Sequence, residues 1–172
     1  YRSGGRNVTV NRRQQIEHQA YMTLLAQREG VLVAPLVAAA MDGRGDALFV
    51  AESVGPTFED GVDVTIDDDL LRSCWSSLDR LHDAGIRHGG ITPRHLQLGD
   101  DGVYFTDFDR ATIAWDDGSR RLDEAQLLTS TAVVAGTDRA IAIAEEALGP
   151  DALTMTTTYV QPAAMLPELR KQ

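Results

Sequence analysis

The chain has 172 residues, a formal net charge of −10, and 43% hydrophobic against 24% charged residues, enough for one domain with a buried core. The acidic balance argues against nucleic acid as the main partner, because phosphate backbones attract basic surfaces. A single cysteine, Cys74, excludes an internal disulfide and multi-cysteine zinc sites, and no apolar run approaches the roughly 18–20 residues that span a bilayer. Residues 1–15 are polar and Arg-rich, unlike a signal peptide, so the sequence as it stands reads as soluble.

Residues 1–11 read as a loop. Ile16, Ala20 and Leu24, joined by Tyr21 and Leu25, recur at helical spacing and predict a helix over Arg12–Arg28 that Gly30 ends. Segments 32–40 and 47–54 are strand-like, and the polar turn from Met41 to Asp46 between them predicts a hairpin. Pro35 lacks a ladder donor, so the first strand either lies at an edge or starts after it. Residues 55–69 read as a connector with at most a short helix. Asp67, Asp68 and Asp69 then stand where carboxylates favour a helix amino terminus. Leu70, Leu71, Cys74, Trp75, Leu78 and Leu81 form one apolar face of a helix ending near Gly85, with Cys74 a small buried hydrophobe on it. A His88-Gly89-Gly90 loop follows, then a short apolar strand, a turn at Asp100-Asp101-Gly102, and a second strand ending in Asp107-Phe108-Asp109. After residues 115–118, helices are expected over 122–135 and 138–148, stopped by Gly136 and by Gly149-Pro150. A last amphipathic stretch, 152–170, is broken at Pro162 and Pro167.

Two pieces taken together, the run from Leu81 to Gly89 and Phe105-Thr106-Asp107-Phe108, match the catalytic segment of protein kinases in residue type and spacing. The chain resembles the protein kinase-like superfamily over nearly its whole length, especially the branch with aminoglycoside and choline phosphotransferases. The resemblance implies an α+β fold. A truncated small lobe, helix plus hairpin, would occupy residues 1–54, and a mainly helical large lobe residues 55–172. It also implies ATP and Mg²⁺ as cofactors, with functional positions that can be carried over one at a time. Asp107 matches the metal-binding aspartate, and a turn-capping aspartate is the plain alternative. Glu17 matches the helix glutamate that pairs with a strand lysine, and equally a solvated helix glutamate. Glu52 and Val54 fall at the hinge, whose backbone would bind an adenine edge. His88 matches the loop histidine, a structural residue. Asp123 falls where the superfamily braces the loop with a buried aspartate, although a helix N-terminal carboxylate accounts for it as well.

The departures from the pattern bear most on activity. Active members carry an aspartate where this chain has Gly90, and an asparagine where it has His95. Glycine neither orients an attacking hydroxyl nor accepts its proton, so no catalytic residue is expected in the loop marked by His88, Gly90 and His95. An imidazole at 95 suits Mg²⁺ less well than an oxygen does, and a hydrogen-bonded histidine is the plainer reading. Asp109 replaces the glycine of Asp-Phe-Gly, which predicts strain at 109 and a loop locked in one arrangement. The only lysine, Lys171, stands at the wrong end for the strand lysine, and a glycine-rich phosphate loop is missing. The expectation is that the first part of the small lobe lies outside this sequence.

These residues make a non-catalytic, pseudokinase-like binding or regulatory domain the leading reading. One rival is an active ATP-dependent small-molecule phosphotransferase with an unconventional base. Another, unrelated to kinases, is a hydrolase metal site of His88, His95, Asp107 and Asp109. A narrower resemblance is carried by the run from Arg13 to His18 and by Gln161-Pro162-Ala163. It is to the bacterial kinase-like domains that precede a flippase-like, lysylphosphatidylglycerol-synthase-type transmembrane domain. It implies a cytoplasmic domain tethered to the inner face of the plasma membrane by a transmembrane partner in the same polypeptide.

Overall fold

The computed structural model describes residues 11–42, 44, 46–60, 66–113 and 116–161. The reading of 1–10 as a loop and the part 162–170 of the last amphipathic stretch, with both of its prolines, therefore lie outside the described residues. The first helix, α1 (Arg12–Arg28), opens on a capping box in which the Asn11 side chain accepts from Gln14 N and the Gln14 side chain accepts from Asn11 N. Its buried face is not the expected one. Met22, Thr23 and Ala26 are buried, while Tyr21 is 55% and Leu24 51% exposed. A polar residue, Thr23, helps form the true inner face, and its hydroxyl bonds back to Gln19 O at 2.9 Å, so apolar periodicity alone misassigned the helix.

The hairpin forms from β1 (Leu36–Met41) and β2 (Ala47–Ala51), antiparallel and irregular between Leu36 and Ala38. The first strand thus starts after Pro35, the second of the two readings that proline allowed. Residues 32–34 instead run beside β5 (Gly102–Phe105), with Phe105 N donating to Leu32 O at 2.8 Å and Ala34 N to Phe105 O at 3.2 Å.

In the second half, α2 (Asp68–Asp83) is capped by Asp67, whose carboxylate accepts from Leu70 N at 2.9 Å. Leu71, Cys74, Trp75, Leu78 and Leu81 on that helix are buried, as their spacing requires. Two short strands, β3 (Ile86–Arg87) and β6 (Thr112–Ile113), pair with each other, and β4 (Leu96–Gly99) pairs with β5. The helices α3 (Asp117–Ala135), α4 (Thr137–Leu148) and α5 (Pro150–Thr157) complete the described chain. The third helix begins five residues before its apolar pattern does, because Asp116 caps it by accepting from Ser119 N at 2.8 Å. One contiguous core runs from Met22 and Ala26 of α1 through Phe105 and Phe108 to Leu127, Ile143 and Leu153, and β1, β2 and β6 contribute no residue to it. Among the described residues no helix is long and apolar enough to cross a membrane.

Candidate functional site: a braced loop and an Asp-Phe turn

The loop from His88 to Thr92 is held by side chains of α3. Asp123 is fully buried, and its carboxylate accepts from His88 N at 2.7 Å and from Gly89 N at 2.8 Å. The oxygen that takes His88 N, Oδ2, also lies 3.3 Å from His82 Nε2. Three residues on, about one helical turn, Gln126 accepts from Ile91 N at 2.9 Å. Loop amides that no ladder could satisfy thus find partners on one helix face. Of the two accounts of Asp123, the geometry selects the brace, since it lies beyond the first turn of α3.

His88 sits at the centre of the loop with no exposed surface. Its Nε2 faces the carbonyl of Thr106 at 3.0 Å, and its Nδ1 accepts from Gly90 N at 3.3 Å. A carbonyl can only accept and an amide can only donate, so the ring is the neutral tautomer with the proton on Nε2. Burial pushes its pKa down to about 4, in agreement. The ring packs at 4.8 Å between centroids against Phe108. Both ring nitrogens are committed inside the protein, which removes His88 from the ligand set of a metal hydrolase. Among the described residues there is also no group of three or more His, Cys, Asp or Glu able to hold a metal.

The turn after β5 carries the other half of the site. Asp107 adopts φ 61°, ψ 72°, the only left-handed non-glycine residue among those described. The strain expected at Asp109 is therefore found two residues earlier. Asp109 lies in a single helical turn, Phe108–Arg110, where burial first and Asp107 second hold its carboxyl above the usual carboxylate range. Asp107 is placed between two elements. Its Oδ1 accepts from Gln19 Nε2 of α1 at 3.1 Å, and its Oδ2 lies 3.3 Å from His95 Nε2. His18 adds a second tie from α1, with Nε2 2.7 Å from Ala111 O.

Glu17 is not brought to this turn. It pairs with Arg13 at 2.7 Å on an exposed face and lines a cavity of about 330 Å³ against β1. The helix residue that does meet Asp107 is Gln19. At 100° per residue, two positions turn the helix by about 200°, so only one of the pair can face the turn. The signal that could have found Gln19 was the inner face on which it lies, with Met22, Thr23 and Ala26.

Gly90 joins the two halves. Its carbonyl is a hydrogen-bond partner of His95 Nδ1, and a Cβ placed on it would meet nothing nearer than Arg110 Cδ at 3.6 Å. There is room for a Cβ at 90. Glu52 N donates to Pro35 O at 2.8 Å, and Val54 N to the Gln97 side chain at 3.4 Å, so both hinge amides have partners within the chain.

No protein-family model matches this chain, and no curated protein matches its sequence. Among solved structures it is similar to vaccinia related kinase 3, at a TM-score of 0.51 and 13% identity. The likeness covers 77% of this chain and 59% of that kinase chain, so the present sequence spans well under two thirds of its neighbour. The fold is kinase-like, of mixed helix and strand with small sheets.

Proposed function

We propose that this chain is a non-catalytic, pseudokinase-like module that binds a ligand or partner and regulates, and does not transfer phosphate. The observation that carries the reading is Gly90. Its carbonyl meets His95, whose ring lies 3.3 Å from Asp107, and a Cβ at this buried position would make only ordinary contacts, yet the sequence supplies no carboxylate there. Phosphoryl transfer depends on positioning and electrostatics, but the attacking hydroxyl still needs an oriented acceptor for its proton. Gln19 points the same way, because a neutral amide occupies the place on α1 from which a carboxylate could hold a lysine.

A nucleotide of the ATP type is the ligand class that the fold suggests. Mg²⁺ fits the donor set poorly. It wants near-ideal octahedral oxygen, whereas Asp107 offers one oxygen already bonded to Gln19 and a second that faces an imidazole. The rival, an active small-molecule phosphotransferase with a substitute base, has one observation in its favour, the raised carboxyl of Asp109. A bacterial, membrane-tethered setting stands on residues 13–18 and 161–163 alone, and the sequence flanking this chain in its gene tests it.

Calorimetric titration of ATP into the protein separates the readings. Injection heats that return to baseline fit a binding module. Sustained power that disappears in Asp107→Ala would mean turnover and would overturn the proposal.

A further inference from the structure

A groove between α2, α3 and α4, which takes in no residue of the loop or of the Asp-Phe turn, holds a cavity of about 390 Å³. That lies within the range of about 300–1,000 Å³ in which small-molecule sites fall. Its wall is apolar at Leu78 and Ile143, both buried, and at Trp75, which is 4% exposed. Two ion pairs span it. Arg72 Nε of α2 lies 2.9 Å from Glu146 Oε2 of α4, and Arg120 Nη2 of α3 lies 2.8 Å from Asp79 Oδ1 of α2.

The groove holds more free donors than free acceptors. Trp75 Nε1 is buried and has no hydrogen-bond partner among the described residues, although a buried indole N–H ordinarily finds one. Arg72 commits Nε to Glu146 and Nη1 to Asp69, and Arg120 commits Nε to Glu124 and Nη2 to Asp79. Nη2 of the first and Nη1 of the second therefore bond to nothing among the described residues. Glu124, by contrast, has both oxygens taken, by Arg120 on one side and by Arg121 and Thr156 on the other. An occupant has to bring the acceptor. Charge narrows its kind, because two arginines stand against three carboxylates, Asp79, Glu124 and Glu146, and leave no net positive charge to hold an anion. Guanidinium groups fixed in ion pairs also offer flat faces on which a ring can stack.

We propose that this groove is a binding site for a neutral, planar molecule that carries a carbonyl-type acceptor. Its ring lies against Trp75 and the two guanidinium groups, and its oxygen takes the N–H of Trp75 Nε1. That nitrogen is covered by its surroundings, so a slight turn of the indole brings it to the acceptor, and the missing partner favours the turn. The inference stands apart from the functional reading, since Gly90, His95 and Asp107 take no part in it.

Titration of the ¹⁵N-labelled protein with coumarin and, separately, with N-methyl-2-quinolone tests it, both being neutral, flat and furnished with one ring carbonyl. The chain has two tryptophans, Trp75 and Trp115, and Trp115→Phe assigns their indole resonances. The expected result is a saturable downfield shift of the Trp75 indole N–H at one probe per chain. Naphthalene, of like size but without the carbonyl, should bind at least fivefold more weakly. Ala147→Phe fills the groove from an exposed position on α4 and should abolish binding, whereas Asp107→Ala should leave it unchanged. Should Ala147→Phe fail to fold, the wild-type comparison of the carbonyl probes with naphthalene decides. A Trp75 resonance that neither probe moves would mean that water satisfies the indole, and the inference would fall. Equal affinity for naphthalene, full binding in Ala147→Phe, or loss of binding in Asp107→Ala would each overturn it as well. Phosphate transfer from ATP would overturn the functional reading and leave this site standing.

Discussion

Asp123→Ala removes the acceptor for two loop amides at once. His88 N, which is buried, and Gly89 N, which is part-buried, now 2.7 and 2.8 Å from the carboxylate, would lose their partners. Each unsatisfied buried donor costs about 1–3 kcal/mol, so the pair costs on the order of 3–5 kcal/mol, before the loss of the contacts with His82 Nε2 and Arg87 Nε, 3.3 and 3.9 Å from the carboxylate, is counted. For a domain of this length 1 kcal/mol shifts the thermal midpoint by about 2–4 °C, which predicts a fall of roughly 6–20 °C. Asp123→Asn keeps one acceptor oxygen and turns an NH₂ toward the other amide, so it should fall about half as far. Differential scanning calorimetry on the three proteins reads both. A drop of less than about 2 °C in Asp123→Ala would mean that the loop is not held from α3, and the brace would have to be abandoned.

The neighbouring glycines should respond oppositely to a methyl group. Gly89→Ala puts a Cβ 2.7 Å from Arg110 O at φ +75° and should cost about 2 kcal/mol or more, whereas Gly90→Ala meets nothing within 3.5 Å and should cost under about 1 kcal/mol. Equal losses on urea unfolding would contradict the loop geometry. His88 gives a pH signature. Its folded pKa, about 4, lies below the ordinary 6.5, so its contribution is complete above pH 6.5 and is lost as pH falls toward 4. Between pH 7 and 5 that amounts to about 2 kcal/mol at 1.36 kcal/mol per pKa unit. One imidazole in the NMR spectrum should correspondingly stay untitrated down to about pH 5, and an ordinary titration curve for all four histidines would refute the burial. Cys74, fully buried with its thiol pushed up to about 12, should ignore a thiol reagent until the protein unfolds, and rapid native labelling would contradict its place in the core.

What the sequence disclosed and what it hid divide along physical lines. α2 was legible because one unbroken apolar face meets the core and an aspartate cap marks its start. The β4–β5 hairpin was legible from its Asp-Asp-Gly turn. α1 was misread because its inner face includes Gln19 and Thr23, polar residues whose partners lie on other elements or on its own backbone. The same blind spot passed over Gln19, the residue of α1 that meets Asp107. The start of α3 was missed because its first turn is built on a cap and solvated residues, with no apolar signal. His95 was visible as a substitution, but its tautomer was not, since that follows from which oxygen faces which nitrogen.

The central claim is that a kinase-like fold here lacks the group that would take the proton from a phosphate acceptor. The most direct measurement is release or transfer of the γ-phosphate from labelled ATP, with Mg²⁺ and with Mn²⁺, by the wild-type protein and by Asp107→Ala. The account predicts counts indistinguishable from buffer for both proteins under either ion. Transfer by the wild type that Asp107→Ala abolishes would contradict it.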